Sequence, residues 1–393
     1  MVSGQLLLLF LIAASHNFNA ATSTLVPVEK KVLIVGAGPA GLLAAHCLLS
    51  RKSPNLSYLV HLVDARGEPA KEGVGPRAYA IGISTRGQNA LHYFDTPSRS
   101  LGILDHVKAL SVPIKETFLH IDSTNVQVRR RDGKQPPSLL LPRNNLCQGL
   151  LASLREVYGS QKDRLKISYS SPLKALDLNA RTAFFENGRE ETYDLIIGAD
   201  GMHSVVRQAM LDVHAASSSS SSPYKYIDEA LDGGFKVLQL PSMPAGLKPN
   251  ALHFFLSSKI PVGAIVIPRA DKKCYVVSFH RSNELPSFLS VGASTESIQH
   301  AIDSIFPVLA PLSKEAAEQL RQQHVTKSRA VRLNTYTDTK RRVLLIGDAA
   351  HAVGSSVGYI LFFLPVNRRR TRPGSERIPA RCGCTGQGAR RMQ

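Results

Sequence analysis

The sequence predicts an α/β fold in which a sheet of parallel strands is interrupted by an inserted, mainly antiparallel sheet. Three apolar strands each run straight into a turn that contains glycine, near residues 32–38, 195–201 and 343–348, and the second and third turns also contain aspartate. This pattern is typical of the strand–turn–helix units that build parallel sheets. The segment 224–330 begins instead with successive apolar strands and hairpin signals, which indicate an antiparallel sheet. We therefore expect one composite domain or two smaller ones.

The composition is that of a globular protein able to bury large cores. The 393 residues are 43% hydrophobic and 20% charged, which excludes a disordered chain. Part of the formal net charge of +18 comes from arginines clustered after Gly358. No segment interleaves aromatic and basic residues, so we expect no specific nucleic-acid binding. Five cysteines lack framework spacing, which argues against a disulfide scaffold, and no ligand spacing predicts a metal site.

The first 21 residues are predicted to be a signal or targeting leader. An apolar run from Leu6 to Ala14, followed by small residues, resembles a secretory signal peptide and is too short to span a bilayer. No Lys or Arg precedes the run, so a disordered leader is the alternative. We expect the secretory pathway or an organelle reached through the ER, such as a plastid, with a cytoplasmic or mitochondrial location as the alternative. Membrane association and oligomeric state stay open.

The first element after the leader is a short buried strand, followed by a helix from about Pro39 to Leu49. Gly36, Gly38 and Gly41 form a G-x-G-x-x-G turn between them. In such a turn the glycines allow a tight bend, close approach of a pyrophosphate and close helix–strand packing, and the helix N-terminus favours the phosphate charge. Asp64 ends the next strand, where a carboxylate can accept hydrogen bonds from ribose hydroxyls. We therefore predict a dinucleotide site for a free 2′-hydroxyl, as in FAD or NAD.

The later elements repeat the strand-to-turn pattern and surround the inserted sheet. A helix is predicted after Pro142, because Leu146, Leu150 and Leu154 recur at helical spacing. A serine-rich stretch at 217–223 is predicted to be a flexible loop. The predicted organisation is a nucleotide-binding domain in three parts (28–112, 142–216 and 331–358), substrate-domain strands at 113–141, a substrate domain at 224–330 and a basic tail at 359–393.

The three turns together resemble those of the class A flavoprotein monooxygenases, which are single-component FAD-dependent aromatic hydroxylases. The resemblance covers roughly residues 30–358 and rests on GAGPAG, DGMHSVVR and GDAAH, in that order. It implies a Rossmann-like FAD-binding domain with an inserted, mainly antiparallel β-sheet substrate domain. Stretches such as LPRNNLCQGLL make the kynurenine 3-monooxygenases the nearest group. However, Lys115 and Thr117 lie where that group has an arginine for the substrate carboxylate, which argues against kynurenine itself.

The resemblance also implies which residues meet the cofactor. Carried over by position, the residues that bind FAD are Gly36, Gly38, Gly41, Asp64, Arg143, Leu173, Asp200, Gly347 and Asp348. The first four would hold the ADP part, and Arg143 would reach the flavin nucleotide. Leu173 would offer a backbone contact, and Asp200 would lie near both FAD and the nicotinamide cofactor. No catalytic residue is predicted, and His351 is interpreted as structural.

The activity implied is hydroxylation of a small aromatic substrate with O2, with NADPH or NADH as reductant and a flavin hydroperoxide as the oxygen donor. The cofactor carries that chemistry, and the protein supplies orientation and water exclusion. One alternative is an FAD-dependent reductase or epoxidase acting on an isoprenoid lipid. The other is a truncated, inactive flavin-binding protein.

After Gly358 the sequence departs from the family. Ser355 replaces a typical proline, and Tyr359 and Ile360 lie where the motif has a polar residue and a second glycine. Ile360 would put a branched side chain where a backbone N–H approaches the flavin. The abrupt change suggests a frameshift, a retained intron or an alternative splice product, and we expect it to weaken FAD retention and activity.

Overall fold

The computed structural model describes residues 27–51, 53–69, 80–93, 102–128, 136–216, 225–282 and 284–353. The predicted leader, the serine-rich loop and the departure after Gly358 lie outside the described residues. The helices are α1 (Pro39–Leu49), α2 (Thr85–His92), α3 (Ile103–Ala109), α4 (Arg143–Tyr158), α5 (Val205–Ala215), α6 (Thr295–Ile305) and α7 (Ser313–Gln322). The strands in the first half are β1 (Val28–Val35), β2 (Leu56–Val63), β3 (Ala80–Ile83), β4 (Val112–Ile114), β5 (Glu116–Ile121), β6 (Thr124–Val128), β7 (Ser138–Pro142), β8 (Leu165–Ser168), β9 (Leu173–Asp177), β10 (Thr182–Phe185), β11 (Glu190–Thr192) and β12 (Leu195–Gly198). Those in the second half are β13 (Tyr226–Leu240), β14 (Ala251–Leu256), β15 (Val262–Pro268), β16 (Cys274–His280), β17 (Thr326–Leu333), β18 (Thr337–Asp338), β19 (Val343–Leu345) and β20 (Ala352–Val353).

The first sheet has six strands in the order β18–β19–β12–β1–β2–β8. All neighbours in it are parallel except β18, which is antiparallel to β19. The chain passes from β1 to β2 on one side, whereas β12 and β19 occupy the other side. The strand order therefore reverses at β1, and ligands of open α/β sheets bind at the carboxyl ends of the strands at such a point.

Helices α1 and α4 cover one face of the six-stranded sheet. The predicted bounds of α1, Pro39 to Leu49, are confirmed. The apolar face predicted for α4 is also confirmed, because Leu146, Leu150 and Leu154 are all buried in the same cluster as the strand residue Ile34. The opposite face is covered by α5 and by a three-stranded sheet in the order β11–β10–β9. The central strands are thus buried on both sides, as their continuous apolar sequences require.

The second large sheet, here called the inserted sheet, has eight strands in the order β20–β17–β13–β16–β15–β14–β5–β6. Its pairings are antiparallel apart from β14 with β5, so the predicted α/β fold with a mainly antiparallel insert is confirmed. The inserted sheet extends past residue 330, because β17 ends at Leu333 and β20 joins the same sheet. The domain boundary predicted at residue 330 therefore falls within β17.

The two faces of the inserted sheet pack against different layers. Helices α6 and α7 cover the outer face, where Val266 and Val276 contact a cluster that includes Ile298 and Leu320. The inner face packs against a small sheet in the order β3–β7–β4. Strand β7 runs directly into α4 at Arg143, so the inner face of the inserted sheet is linked by one strand to the first residue of α4.

Two glutamines complete the edge of β13. Strand β17 pairs with β13 only as far as Phe235. The backbone groups that follow therefore have a neighbouring strand on one side, β16, and none on the other. The side chain of Gln323 accepts from the Val237 N–H (3.3 Å) and donates to its carbonyl (2.9 Å). Gln319 makes the same pair of bonds to Gln239, both at 2.8 Å. The two side chains therefore act as a substitute strand and satisfy a buried sheet edge.

None of the helices in the described ranges is long and apolar enough to cross a membrane.

Candidate functional site

The carboxyl edge of the six-stranded sheet brings together four of the predicted segments. The G-x-G-x-x-G turn directly follows β1, and Asp64 directly follows β2. One residue separates the end of β12 from Asp200, and one separates the end of β19 from Gly347. Backbone hydrogen bonds join them: Gly36 N–H donates to the Val63 carbonyl at 2.7 Å, and Ala199 N–H donates to the Val35 carbonyl at 2.8 Å. The site is therefore centred on β1.

Gly36 and Gly41 are required by close backbone packing. Gly36 has φ +104°, in the left-handed region that favours glycine. A Cβ there would overlap the carbonyl oxygen of Ala199, and a Cβ on Gly41 would overlap the carbonyl oxygen of Gly36. The first turn thus fits tightly between its own helix and the turn after β12, and neither position tolerates a side chain without movement of the backbone.

Gly38 and Arg143 lie together, although they are distant in sequence. A Cβ on Gly38 would come within 2.9 Å of the Nη2 atom of Arg143. Gly38 is also the N-cap of α1, whose first turn contains Pro39 and no acidic residue. A guanidinium beside the positive end of a helix dipole makes a favourable environment for a phosphate group.

Asp64 is buried and its carboxylate is held in place. Its Oδ2 accepts from the Ala37 N–H at 2.8 Å and its Oδ1 accepts from the Arg66 N–H at 2.9 Å. The Arg66 guanidinium also binds both oxygens, at 3.1 Å each. Burial acts to raise the pKa of Asp64, but the hydrogen bonds from Arg66, its charge and the Ala37 N–H outweigh this, and the pKa lies below its usual value. Asp64 is therefore ionised at neutral pH and suited to accept hydrogen bonds.

The carboxylate of Asp200 caps the N-terminus of α5. It accepts from the Ser204 hydroxyl at 2.6 Å and from the N–H groups of Val205 and Val206 at 2.7 and 3.2 Å. Burial raises the pKa of Asp200, against the opposing effect of these hydrogen bonds. The side chain thus stabilises the helix N-terminus, while its backbone lies against Gly36. The described contacts support a structural role, and its predicted contact with FAD and nicotinamide stays a prediction.

The third turn packs onto the first. Gly347 has φ +59°, and a Cβ there would lie 2.8 Å from the Cβ of Ala40 in α1. The Gly347 carbonyl accepts from the N–H groups of Ala350 and His351, both at 3.0 Å. Asp348 is exposed at this turn. His351 has its ring 6.1 Å from that of Tyr336.

Leu173 lies outside this cluster of turns. It opens β9 in the three-stranded sheet, pairs with Phe185 and packs in part against the core cluster that contains Val35 and Val63. Leu173 therefore lies on the face of the six-stranded sheet opposite α1, and its predicted backbone contact with FAD stays a prediction.

Two arginines at the site were not predicted from the sequence. Arg66 was not predicted, although an arginine two residues after a strand-terminal acid is a signal that the acid can be paired within its own turn. Arg207 ends the DGMHSVVR segment, and no role was predicted for it. In the structure it is 5% exposed and donates hydrogen bonds to carbonyls of the second and third turns.

The arrangement fits a dinucleotide. It offers a glycine cradle open to a pyrophosphate, an arginine beside it and an ionised carboxylate at the end of the adjacent strand. The described residues contain no cluster of His, Cys, Asp and Glu able to hold a metal ion.

The family profile described as "FAD binding domain" matches residues 29–359. This range includes every predicted site residue and ends beside Gly358.

Curated relatives point in the same direction. The kynurenine 3-monooxygenase of Neurospora crassa is 26% identical over 362 residues, covering 83% of this chain and 65% of the relative. That of Salinispora arenicola is 27% identical over 337 residues, covering 83% of this chain and 68% of the relative. The chain thus spans about two thirds of the length of these relatives.

Solved structures share the fold. 2-Methyl-3-hydroxypyridine-5-carboxylic acid oxygenase matches with a TM-score of 0.63 and 22% identity, covering 83% of this chain and 76% of that chain. PqsL from Pseudomonas aeruginosa, solved in complex with 2-aminobenzoylacetate, matches with a TM-score of 0.61 and 16% identity, covering 84% of this chain and 82% of that chain.

Proposed function

The chain belongs to the FAD binding domain family of class A flavoprotein monooxygenases, and from this membership we propose that it hydroxylates a small aromatic substrate with O2, using FAD and either NADPH or NADH. The observation that carries this proposal is the convergence of the three turns, Asp64 and Arg143 at one edge of the six-stranded sheet. The names of the relatives support an aromatic substrate.

The residues of the site divide the binding of FAD between them. The N-terminus of α1 and the Arg143 guanidinium would bind the pyrophosphate, and glycine at position 38 lets the backbone approach it. Asp64, held ionised by Arg66, would accept hydrogen bonds from the ribose. When bound, FAD supplies the redox chemistry that activates O2.

The inner face of the inserted sheet would exclude water from the reaction. Phe254, Ile265 and Val277 lie on this face and pack with Ile114 and Leu140 of the small sheet. An apolar wall lowers the local dielectric and suits an aromatic ring. In the proposed reaction the protein's part would be orientation and desolvation.

The test is reconstitution of the purified full-length chain with FAD. We expect a visible flavin spectrum after removal of unbound FAD, and oxidation of NADPH or NADH that depends on an added aromatic compound. Absence of bound flavin even with excess FAD would refute the proposal. Bound flavin with turnover only on an isoprenoid lipid would contradict the aromatic substrate and favour the reductase or epoxidase alternative. Bound flavin without any turnover would indicate the inactive flavin-binding alternative.

A further inference from the structure

Arg207 is a buried cation whose partners belong to three different segments. Its Nη1 donates to the Ala349 carbonyl at 3.0 Å, in the third turn, and its Nη2 donates to the Met202 carbonyl at 2.5 Å, in the second. Its Cζ lies 5.4 Å from the centre of the Tyr226 ring, at the start of β13. One side chain therefore contacts two turns of the nucleotide site and the inserted sheet.

Arg207 forms no direct ion pair within the described residues, although the Asp228 carboxylate is close enough to attract its charge. Its direct partners are two backbone carbonyl dipoles and the side chain of Tyr226. Burying a cation without a directly paired carboxylate is costly. An anionic ligand at the adjacent turns would reduce this cost, and the pyrophosphate of FAD is such a ligand.

Tyr226 transmits the contact into the inserted sheet. Its hydroxyl donates to Asp228 at 3.0 Å, and Asp228 accepts from Arg329 of β17 at 2.8 Å. Tyr226 is 37% exposed, and its contact with Arg207 joins it to the buried part of the site. A displacement of Ala349 would therefore be transmitted to the paired strands β13 and β17 through the Arg207 guanidinium and Tyr226.

We infer that Arg207 is a positioning residue that couples occupancy of the FAD site to the docking of the inserted sheet. This rests on the proposed function, because the ligand is FAD. The guanidinium holds the second and third turns at a fixed separation and orders the first residues of β13 when the cofactor binds.

The experiment compares Arg207→Met with Lys236→Met in the full-length chain. Lys236 is a matched control, because it is a buried cation that donates to a backbone carbonyl, that of Leu320 at 2.7 Å, within the inserted sheet's outer layer. FAD affinity is measured by quenching of flavin fluorescence, and hydrogen exchange of residues 226–230 is measured with and without FAD. Tyr226→Leu is a second variant, at an exposed position that leaves Arg207 intact.

We expect Arg207→Met to weaken FAD binding by about tenfold or more and to abolish the FAD-dependent protection of residues 226–230. Lys236→Met should change FAD affinity by less than about twofold and keep that protection. Tyr226→Leu should lose the protection while retaining most of the affinity. If Arg207→Met lowers the melting temperature like Lys236→Met but leaves affinity and protection unchanged, the inference is overturned. If the wild-type chain binds no FAD, the proposed function itself fails.

Discussion

Single residues at the first turn are constrained by backbone contact rather than by side-chain chemistry. A methyl group on Gly41 would overlap the Gly36 carbonyl, whereas one on Gly82 in β3 would meet nothing within 4 Å. We expect Gly41→Ala to destabilise the chain by about 1–3 kcal/mol through overpacking and to weaken FAD binding. Gly82→Ala is the matched control and should do neither. Thermal unfolding and flavin fluorescence titration measure the two effects, and equal behaviour of the variants would contradict the packing argument.

The buried histidine of β2 predicts a pH dependence of stability. His61 is 1% exposed, with Nδ1 2.7 Å from the Tyr193 hydroxyl and Nε2 3.0 Å from the Ser168 hydroxyl. Burial, helped by the nearby charges of Lys166, Arg189 and Lys31 and opposed by Glu191, lowers the pKa of His61 to about 4. The unfolded chain therefore takes up a proton near pH 6.5 that the folded chain refuses until about pH 4.

The free energy of unfolding should consequently fall as the pH drops from about 6.5 towards 4. Between pH 7 and pH 5 the loss from this group is about 2 kcal/mol. His61→Gln removes the group, so its urea unfolding at the two pH values should differ by less than that of the wild type. His92→Gln, at an exposed position of α2, is the control and should keep the wild-type pH dependence. An undiminished pH dependence in His61→Gln would assign the effect to another group.

Among the elements, α7 is bound to the inserted sheet by side chains that replace a strand. Gln319 and Gln323 each satisfy one N–H and one carbonyl of β13. Truncation of either side chain leaves a backbone donor and acceptor unpaired, at a cost of about 1–3 kcal/mol. Gln319→Ala and Gln323→Ala should therefore lower the urea midpoint, and Gln322→Ala, from an exposed position of the same helix, should not. Indistinguishable midpoints for the three variants would mean that water satisfies the strand edge.

The whole molecule is expected to respond to FAD as one cooperative unit. Val331, Leu333 and Ala352 of the inserted sheet lie in the same buried cluster as Leu33 and Val35 of β1. Because the two sheets share this core, FAD at 100 times its Kd should stabilise the chain by about 2.7 kcal/mol in a single transition. Calorimetry with and without FAD tests this. Two separate transitions, of which FAD moves only one, would show that the sheets unfold independently.

Much of this architecture can be predicted from the sequence because its causes are local. The Gly36–Gly41 turn, the bounds of α1 and the apolar face of α4 depend on residues within a few positions of each other, through backbone sterics and helical periodicity. The antiparallel strands of 251–280 follow from continuous apolar stretches and a hairpin turn. The family also follows from three such local turns in a fixed order.

The partners of the site residues come instead from the folded molecule. Arg207 and Ala349 are 142 residues apart in sequence, and Gly38 meets Arg143 from another helix. Local sequence specifies which backbone shapes are possible, whereas the packing of distant elements selects which polar groups meet, because a buried donor or acceptor must find its partner wherever the fold places one.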